Sequence, residues 1–262
     1  MTREGRPLSF LLVDRFHSLR LGVDLEAAGA GRTVVIETPL RLRREQSYGY
    51  LRALWWLWLE DGRSVISVPP GAGAEARRAV GDAALPEAIW DATMTARLRA
   101  AADAALRRAG LGETDRVLRD LVFACNAALL REHRRGDCRR LSDKTIPAAE
   151  GLRLPTHCFP DGIAYGVVAD GRIASVAYAH RTGLMEDCVA DLGVETAAAY
   201  RRRGYASTAV SAVVGHVARE GGEARYGCDP ANMPSIATAR SVGFVPYGRS
   251  LILSAPAPNL GR

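Results

Sequence analysis

From Ala206 to Val217, apolar residues fall at Ala206, Ala209, Val210, Val213, Val214 and Val217. That is the i, i+3, i+4, i+7 spacing of a helix that buries one face. A strand-like run, Asp191-Leu192-Gly193-Val194, lies just before it. The stretch therefore commits the chain to strand, loop and helix packed on a sheet, an α/β arrangement. The loop carries three arginines, Arg201 to Arg203, followed by Gly204, Tyr205 and Ala206. A glycine and small residues at a strand-to-helix turn let backbone N–H groups converge on an anion, and the positive helix end adds to the field. Ser207 and Thr208, in the first turn, are candidate hydroxyl donors.

Elsewhere the pattern alternates between strand and helix. Residues 33–36 read as a strand, and residues 50–68 as two strand-like runs joined by Asp61-Gly62, a favoured hairpin turn. Trp55, Trp56 and Trp58 lie in that run and are expected in a core. Residues 86–108 are Ala-rich and expected helical, stopped by Gly110, and a second helix is expected over 115–133. After Gly136 the elements shorten: a strand at 138–141, a short helix over 143–151, and a hairpin turning on Asp170-Gly171. Then come the strand and helix described above, a strand at 224–228, a helix over 235–242 stopped by Gly243, and a final β segment from Phe244. The expected division is an N-terminal α+β domain of unknown role over 1–137 and a second domain over 138–262.

Composition rules out the extremes. With 48% hydrophobic and 24% charged residues, the chain is neither disordered nor fibrous. Its net charge of +6 divides evenly, +3 in residues 1–137 and +3 in 138–262, so no basic arm stands apart. Of the 35 basic residues only Lys144 is lysine, a bias that runs along the whole chain and argues against one dedicated nucleic-acid surface. The five cysteines are scattered without a C-x-x-C pair, which points to reduced thiols and a cytoplasmic setting. The apolar runs near the N-terminus and at 53–59 are too short for a signal-peptide core or a membrane span.

The loop lacks G-x-x-x-x-G-K-[ST], so a nucleoside-triphosphate cradle is not expected. Arg201-x-x-Gly204-x-Ala206 instead resembles the R/Q-x-x-G-x-G/A signature of the GNAT N-acetyltransferase superfamily, and Tyr200-Arg201 opens it as is common there. Asn232, Ser235 and the Gly243-Phe244 pair are similar to the second motif of that superfamily. The resemblance covers residues 138–254, and its wording is similar to a branch that includes antibiotic self-resistance acetyltransferases. It implies an α/β GNAT acyltransferase fold in the C-terminal half, beside a smaller N-terminal α+β domain. It implies acetyl-CoA as co-substrate, with its pyrophosphate on the amides of about Arg202, Arg203, Gly204, Tyr205, Ala206 and Ser207 and with Arg201 at the rim. A backbone N–H among Val194 to Thr196 would bind the thioester carbonyl, and Asn232 would hold the pantetheine arm or order the second helix. No metal and no covalent intermediate are implied, since positioning of an activated thioester does most of the work.

An amine must lose a proton before it attacks, so a carboxylate base is expected. Glu186, Asp187, Asp191 and Glu195 are the candidates, and Asp191 and Glu195 share a face by strand alternation. Many members of the superfamily carry a tyrosine four residues before the glycine of the G-F pair; here that position is Ala239. Tyr226, Cys228 or a water are the substitutes left open, as is a GNAT-fold protein that binds ligand without turnover. The acceptor is expected to be a small-molecule or peptide amine, with the N-terminal domain shaping its pocket. A homodimer is compatible with the sequence; nucleic acid and membrane are not expected partners.

Three other patterns are decoys. Gly71-Ala-Gly73-Ala-Glu-Ala76 matches G-x-G-x-x-A with Asp91 downstream, but Pro69-Pro70 interrupts the strand-to-glycine connection, and a loop capping the hairpin is expected there. The histidines His17, His133, His157, His180 and His216 show no metal-ligand spacing. A G-x-S-x-G elbow for a serine hydrolase is missing.

Overall fold

A strand that is apolar at every position must be covered on both faces. Tyr50–Leu59 comes close to this, with Arg52 its one charged residue and lying over the Trp55 ring; it is buried from Leu51 to Leu59, and Trp55 and Trp56 are completely enclosed. The computed structural model describes residues 9–44, 50–81, 86–142, 146–155, 162–180 and 182–257. Lys144, His157 and Cys158 lie outside them. The chain is mixed α/β and folds into two compact units. An N-terminal unit holds residues 14–122, 228–231 and 246–257, and a C-terminal unit holds 9–13, 123–227 and 232–245.

The N-terminal unit is built on β1 (Thr33–Glu37), β2 (Tyr50–Leu59) and β3 (Ser64–Val68), joined by β4 (Arg116–Cys125) and by β10 (Val245–Pro256) from the chain's end. The strand order is β1-β3-β2-β10-β4, with β1 parallel to β3 and β2 antiparallel to both β3 and β10. One face carries Leu54, Trp56, Ile66 and Leu253, covered by α2 (Gly73–Val80) and α3 (Ala92–Arg108) through Ala76, Leu98, Ala102 and Leu106. Trp56 keeps its indole N–H satisfied by donating to Ser64 Oγ at 2.9 Å. His17, from α1 (Leu11–Leu21), stacks on Tyr247 and meets Trp55 edge-on. The tryptophans are core, as their setting in a β run suggested.

Three expected elements differ. Residues 116–125, expected helical, are β4, and 126–136 continue without helix. The spacing of Val117, Leu118, Leu121 and Val122 fits a helix, but pairing with a strand remote in sequence decides the outcome. The glycine loop at 71–76 is the start of α2 rather than a hairpin cap. Of the short helix expected over 143–151, the described residues 146–151 form only a turn and a single bridge, Ala148 to Ile173. The Ala-rich helix begins later than expected, because Asp91 caps it by accepting from Met94 N–H after a 3₁₀ turn at Pro86–Trp90.

The C-terminal unit orders its strands β9-β8-β7-β6-β5: β5 (Asp137–Arg140), β6 (Ala164–Ala169), β7 (Arg172–Ala179), β8 (Val189–Thr196) and β9 (Glu223–Cys228). Neighbours are antiparallel except β8 and β9, which run parallel. The connection from β8 to β9 is α4 (Tyr205–Arg219), whose buried Ala209, Val210, Val213, Val214 and Val217 are the stripe read from the sequence. After β9 comes α5 (Met233–Val242), capped at its start by Asn232 and ended by Gly243.

Candidate active site

Strand β8 is held unequally along its two edges. Against β7 its register runs to the end, Ser175 opposite Thr196. Against β9 it stops at Leu192 opposite Tyr226. Gly193 to Thr196 therefore carry an edge that β9 does not pair, where the two parallel strands part; Arg201 Nε donates to Thr196 O there at 3.3 Å, and the other polar backbone atoms of that edge need a partner. A Cβ on Gly193 would lie 2.5 Å from Tyr178 Cζ, so the glycine lets the Tyr178 ring lie against the strand just where it forks.

The loop after β8 turns tightly. Arg202 has φ 62° and Gly204 φ 79°, two left-handed residues flanking Arg203. An arginine held there costs of order 1 kcal/mol, a strain that clusters at functional sites. Alternation of this kind turns successive N–H groups toward one point. No side chain caps the start of α4, so its first N–H groups are left to whatever occupies the space before them. A Cβ on Gly204 would also come 3.3 Å from Arg135 Cγ.

Fork and loop open on one cavity of about 700 Å³. Val194, Glu195 and Thr196 line it from the strand, Arg201, Arg202, Gly204, Tyr205, Ala206 and Ser207 from the loop and helix, and Asn232, Pro234, Ser235 and Thr238 from the start of α5. Of the residues expected from the sequence, Val194, Glu195, Thr196, Arg201, Arg202, Gly204, Tyr205, Ala206, Ser207 and Asn232 are thus brought together. Arg203 is not among the lining residues; its guanidinium lies 5.2 Å from the Tyr200 ring centre, a cation–π contact, while Tyr200 donates its hydroxyl to Asp170 at 3.0 Å. Thr208, a candidate donor, is buried: its hydroxyl accepts from Arg135 N–H at 3.0 Å and donates to Gly204 O at 3.2 Å. Ser207 shares a hydroxyl hydrogen bond with Ser241 at 2.9 Å. Asn232 Oδ1 accepts from Ser235 N–H at 3.2 Å, so it orders α5 and faces the cavity together.

The carboxylates separate. Asp191 is buried and takes a hydrogen bond from Arg225 Nη1 at 2.5 Å, with both side chains under a tenth exposed. It lies outside the cavity lining, whereas Glu195 is part of it and half-exposed. Glu186 accepts from Gly183 N–H at 2.5 Å in the turn before β8, away from the cavity. Among the open substitutes for the missing tyrosine, Tyr226 lines the cavity and packs edge-on against Phe244. Cys228 does not line it, and burial pushes its thiol up to about 11. Ala239 is fully buried in α5. Tyr200, Pro234 and Thr238 line the cavity without having been singled out as ligands; only the folding of α5 beside α4 brings the last two to it. Among the described residues no group of three potential metal ligands occurs, and no helix is long and apolar enough to cross a membrane.

Residues 129–244, less than half of the chain, match the acetyltransferase (GNAT) family. No curated protein matches the chain. Among solved structures, a GNAT-family protein from Novosphingobium aromaticivorans is 23% identical over 55% of this chain and 67% of its own, with a TM-score of 0.46. A GCN5-related N-acetyltransferase from Kribbella flavida is 22% identical over 55% of this chain and 60% of its own, at a TM-score of 0.39. A tandem GNAT protein from the clavulanic acid biosynthesis pathway is 14% identical over 92% of this chain and 95% of its own, at 0.43. Several of the structures are thus matched over only about three fifths of their length.

Proposed function

We propose that the C-terminal unit binds acetyl-CoA and transfers its acetyl group to an amine. The observation that carries this reading is one cavity holding both the freed edge of β8 and the uncapped start of α4. Acetyl-CoA supplies a thioester already activated toward amines. The N–H groups of Arg202 to Ser207 receive the pyrophosphate, with the positive end of α4 behind them. Arg201 and Arg202 add charge at the rim, and Arg203 braces the loop through Tyr200. The edge of Val194 to Thr196 offers an N–H to the thioester carbonyl, where it stabilises the negative charge that develops on attack. Glu195 takes the proton that the amine must shed, and Asn232 contacts the pantetheine arm while holding α5 in place. Asp191 belongs to the frame under the site, through Arg225.

The test is release of free CoA thiol with a panel of acceptors: simple alkylamines, amine-bearing antibiotics and peptide α- and ε-amines. Transfer to one class, reduced by roughly 10²–10⁴ in kcat by Glu195→Gln with acetyl-CoA affinity kept, supports the reading. A second reading, binding without turnover, draws on Ala239, which leaves α5 without the tyrosine hydroxyl usual in the family. Binding of acetyl-CoA with no transfer to any acceptor would select it.

A further inference from the structure

In the N-terminal unit α2 and α3 bury one face each against the sheet, and between them they leave a groove of about 450 Å³ that the proposed function does not use. The end of α3 meets the start of α2, where Arg108 donates to Gly71 O at 2.8 Å. The floor of the groove is alanine: Ala79 from α2, and Ala100, Ala101 and Ala104 from α3. Ala100 is exposed, and Ala79 and Ala104 are half-buried. On α3 these alanines lie between Arg97 and Arg108 on one face, so the two arginines stand roughly 16 Å apart along the axis, about three helical turns. A helix laid on such a floor approaches closely, because no long side chain holds it off.

The rim is positive. Arg78, Arg97 and Arg108 line the groove against a single carboxylate, Glu75. That carboxylate is already engaged, accepting from Arg78 Nη2 at 2.8 Å. Arg97 is exposed and makes no hydrogen bond or ion pair with a described residue. A small apolar floor with a surplus of guanidinium groups along it complements an acidic amphipathic helix, and arginine's planar fork takes a carboxylate through two hydrogen bonds. A second copy of this chain does not supply that helix: every α-helix among the described residues carries more basic than acidic residues, and the net charge is +6. Nucleic acid fits less well, since alanine offers no ring for a base to stack on and a carboxylate stands among the three cations.

We propose that the groove between α2 and α3 is a docking site for an acidic amphipathic helix of a partner protein, its small apolar face on the alanines and its carboxylates over Arg78, Arg97 and Arg108. Docking there does not depend on acyl transfer in the C-terminal unit.

Fluorescence polarisation on the full chain tests this, with a hydrocarbon-stapled helix of alanine, leucine and glutamate as the probe and the same helix with lysine in place of glutamate beside it. The wild type should bind the acidic helix saturably, less tightly as salt rises, and should not bind the basic one. Arg97→Glu should weaken binding roughly tenfold or more. Arg131→Glu, the same charge change at an exposed arginine outside the groove, should alter it little. Ala100→Trp keeps every charge and fills the floor, so it should abolish binding in a chain whose circular dichroism is native. Positions 97 and 100 are both exposed, so the fold should bear either change. No binding of the acidic helix, equal losses in Arg97→Glu and Arg131→Glu, or binding untouched by Ala100→Trp would overturn the site. A single-stranded oligonucleotide that binds more tightly than the helix and is lost in the same two groove variants would overturn the protein partner.

Discussion

Asp191 and Glu195 lie four residues apart on β8, and their surroundings give them different work. Asp191 is sealed against Arg225, so removing it leaves a buried guanidinium without its carboxylate. Asp191→Ala is expected to cost about 3–5 kcal/mol in urea unfolding, the usual penalty for breaking a buried pair from one side. Glu195→Gln, facing the cavity, is expected to change stability by no more than about 0.5 kcal/mol, its effect appearing in the rate. Glu37 makes a prediction about pH. The Gly71 and Gly73 amides, and Arg77 after them, hold its carboxyl below the usual glutamate range. A depressed carboxyl stabilises the fold above the unfolded pKa, and that stability is lost as pH falls through the folded one. The stability difference between wild type and Glu37→Gln should therefore be largest near neutral pH and shrink below about pH 4.5. A constant difference down to acid pH would mean that the carboxylate does not hold the Gly71 and Gly73 amides.

What the sequence revealed of the secondary structure follows from where each signal resides. β8, α4 and α5 were readable because their signals are local: the valine stripe of α4, the Asn232 cap and the Gly243 stop. Gly243 has φ 104°, and a Cβ there would strike the Leu129 carbonyl oxygen. Gly243→Ala should cost about 1–3 kcal/mol in thermal or urea unfolding, since strain and contact act together. β4 was misread because Val117, Leu118, Leu121 and Val122 fit a helix, and only partners far along the chain hold them extended. The start of α2 was hidden by Pro69-Pro70 and two glycines, and Glu37, which satisfies its amides, lies 34 residues from Gly71. The site divides in the same way. Loop residues 201–207 were visible as a motif, but the roles of Asp191 and Glu195 depend on which faces Arg225 and which faces the cavity.

Both units place a helix after a strand that has a parallel neighbour, yet only the C-terminal one leaves the strands parted and the helix start uncapped. The proposed function accordingly lies in the C-terminal unit and requires the loop through Gly204 to hold a pyrophosphate. Gly204→Asp addresses that requirement directly. It puts a side chain at φ 79°, against Arg135, and brings a negative charge to where the phosphates would lie. The decisive measurement is calorimetric titration of the purified chain with acetyl-CoA, beside Gly204→Asp checked for native circular dichroism. Saturable micromolar binding by the wild type, lost in the folded variant, is the result expected. A well-folded wild type that binds no acetyl-CoA, or a variant that binds it equally well, would contradict the account.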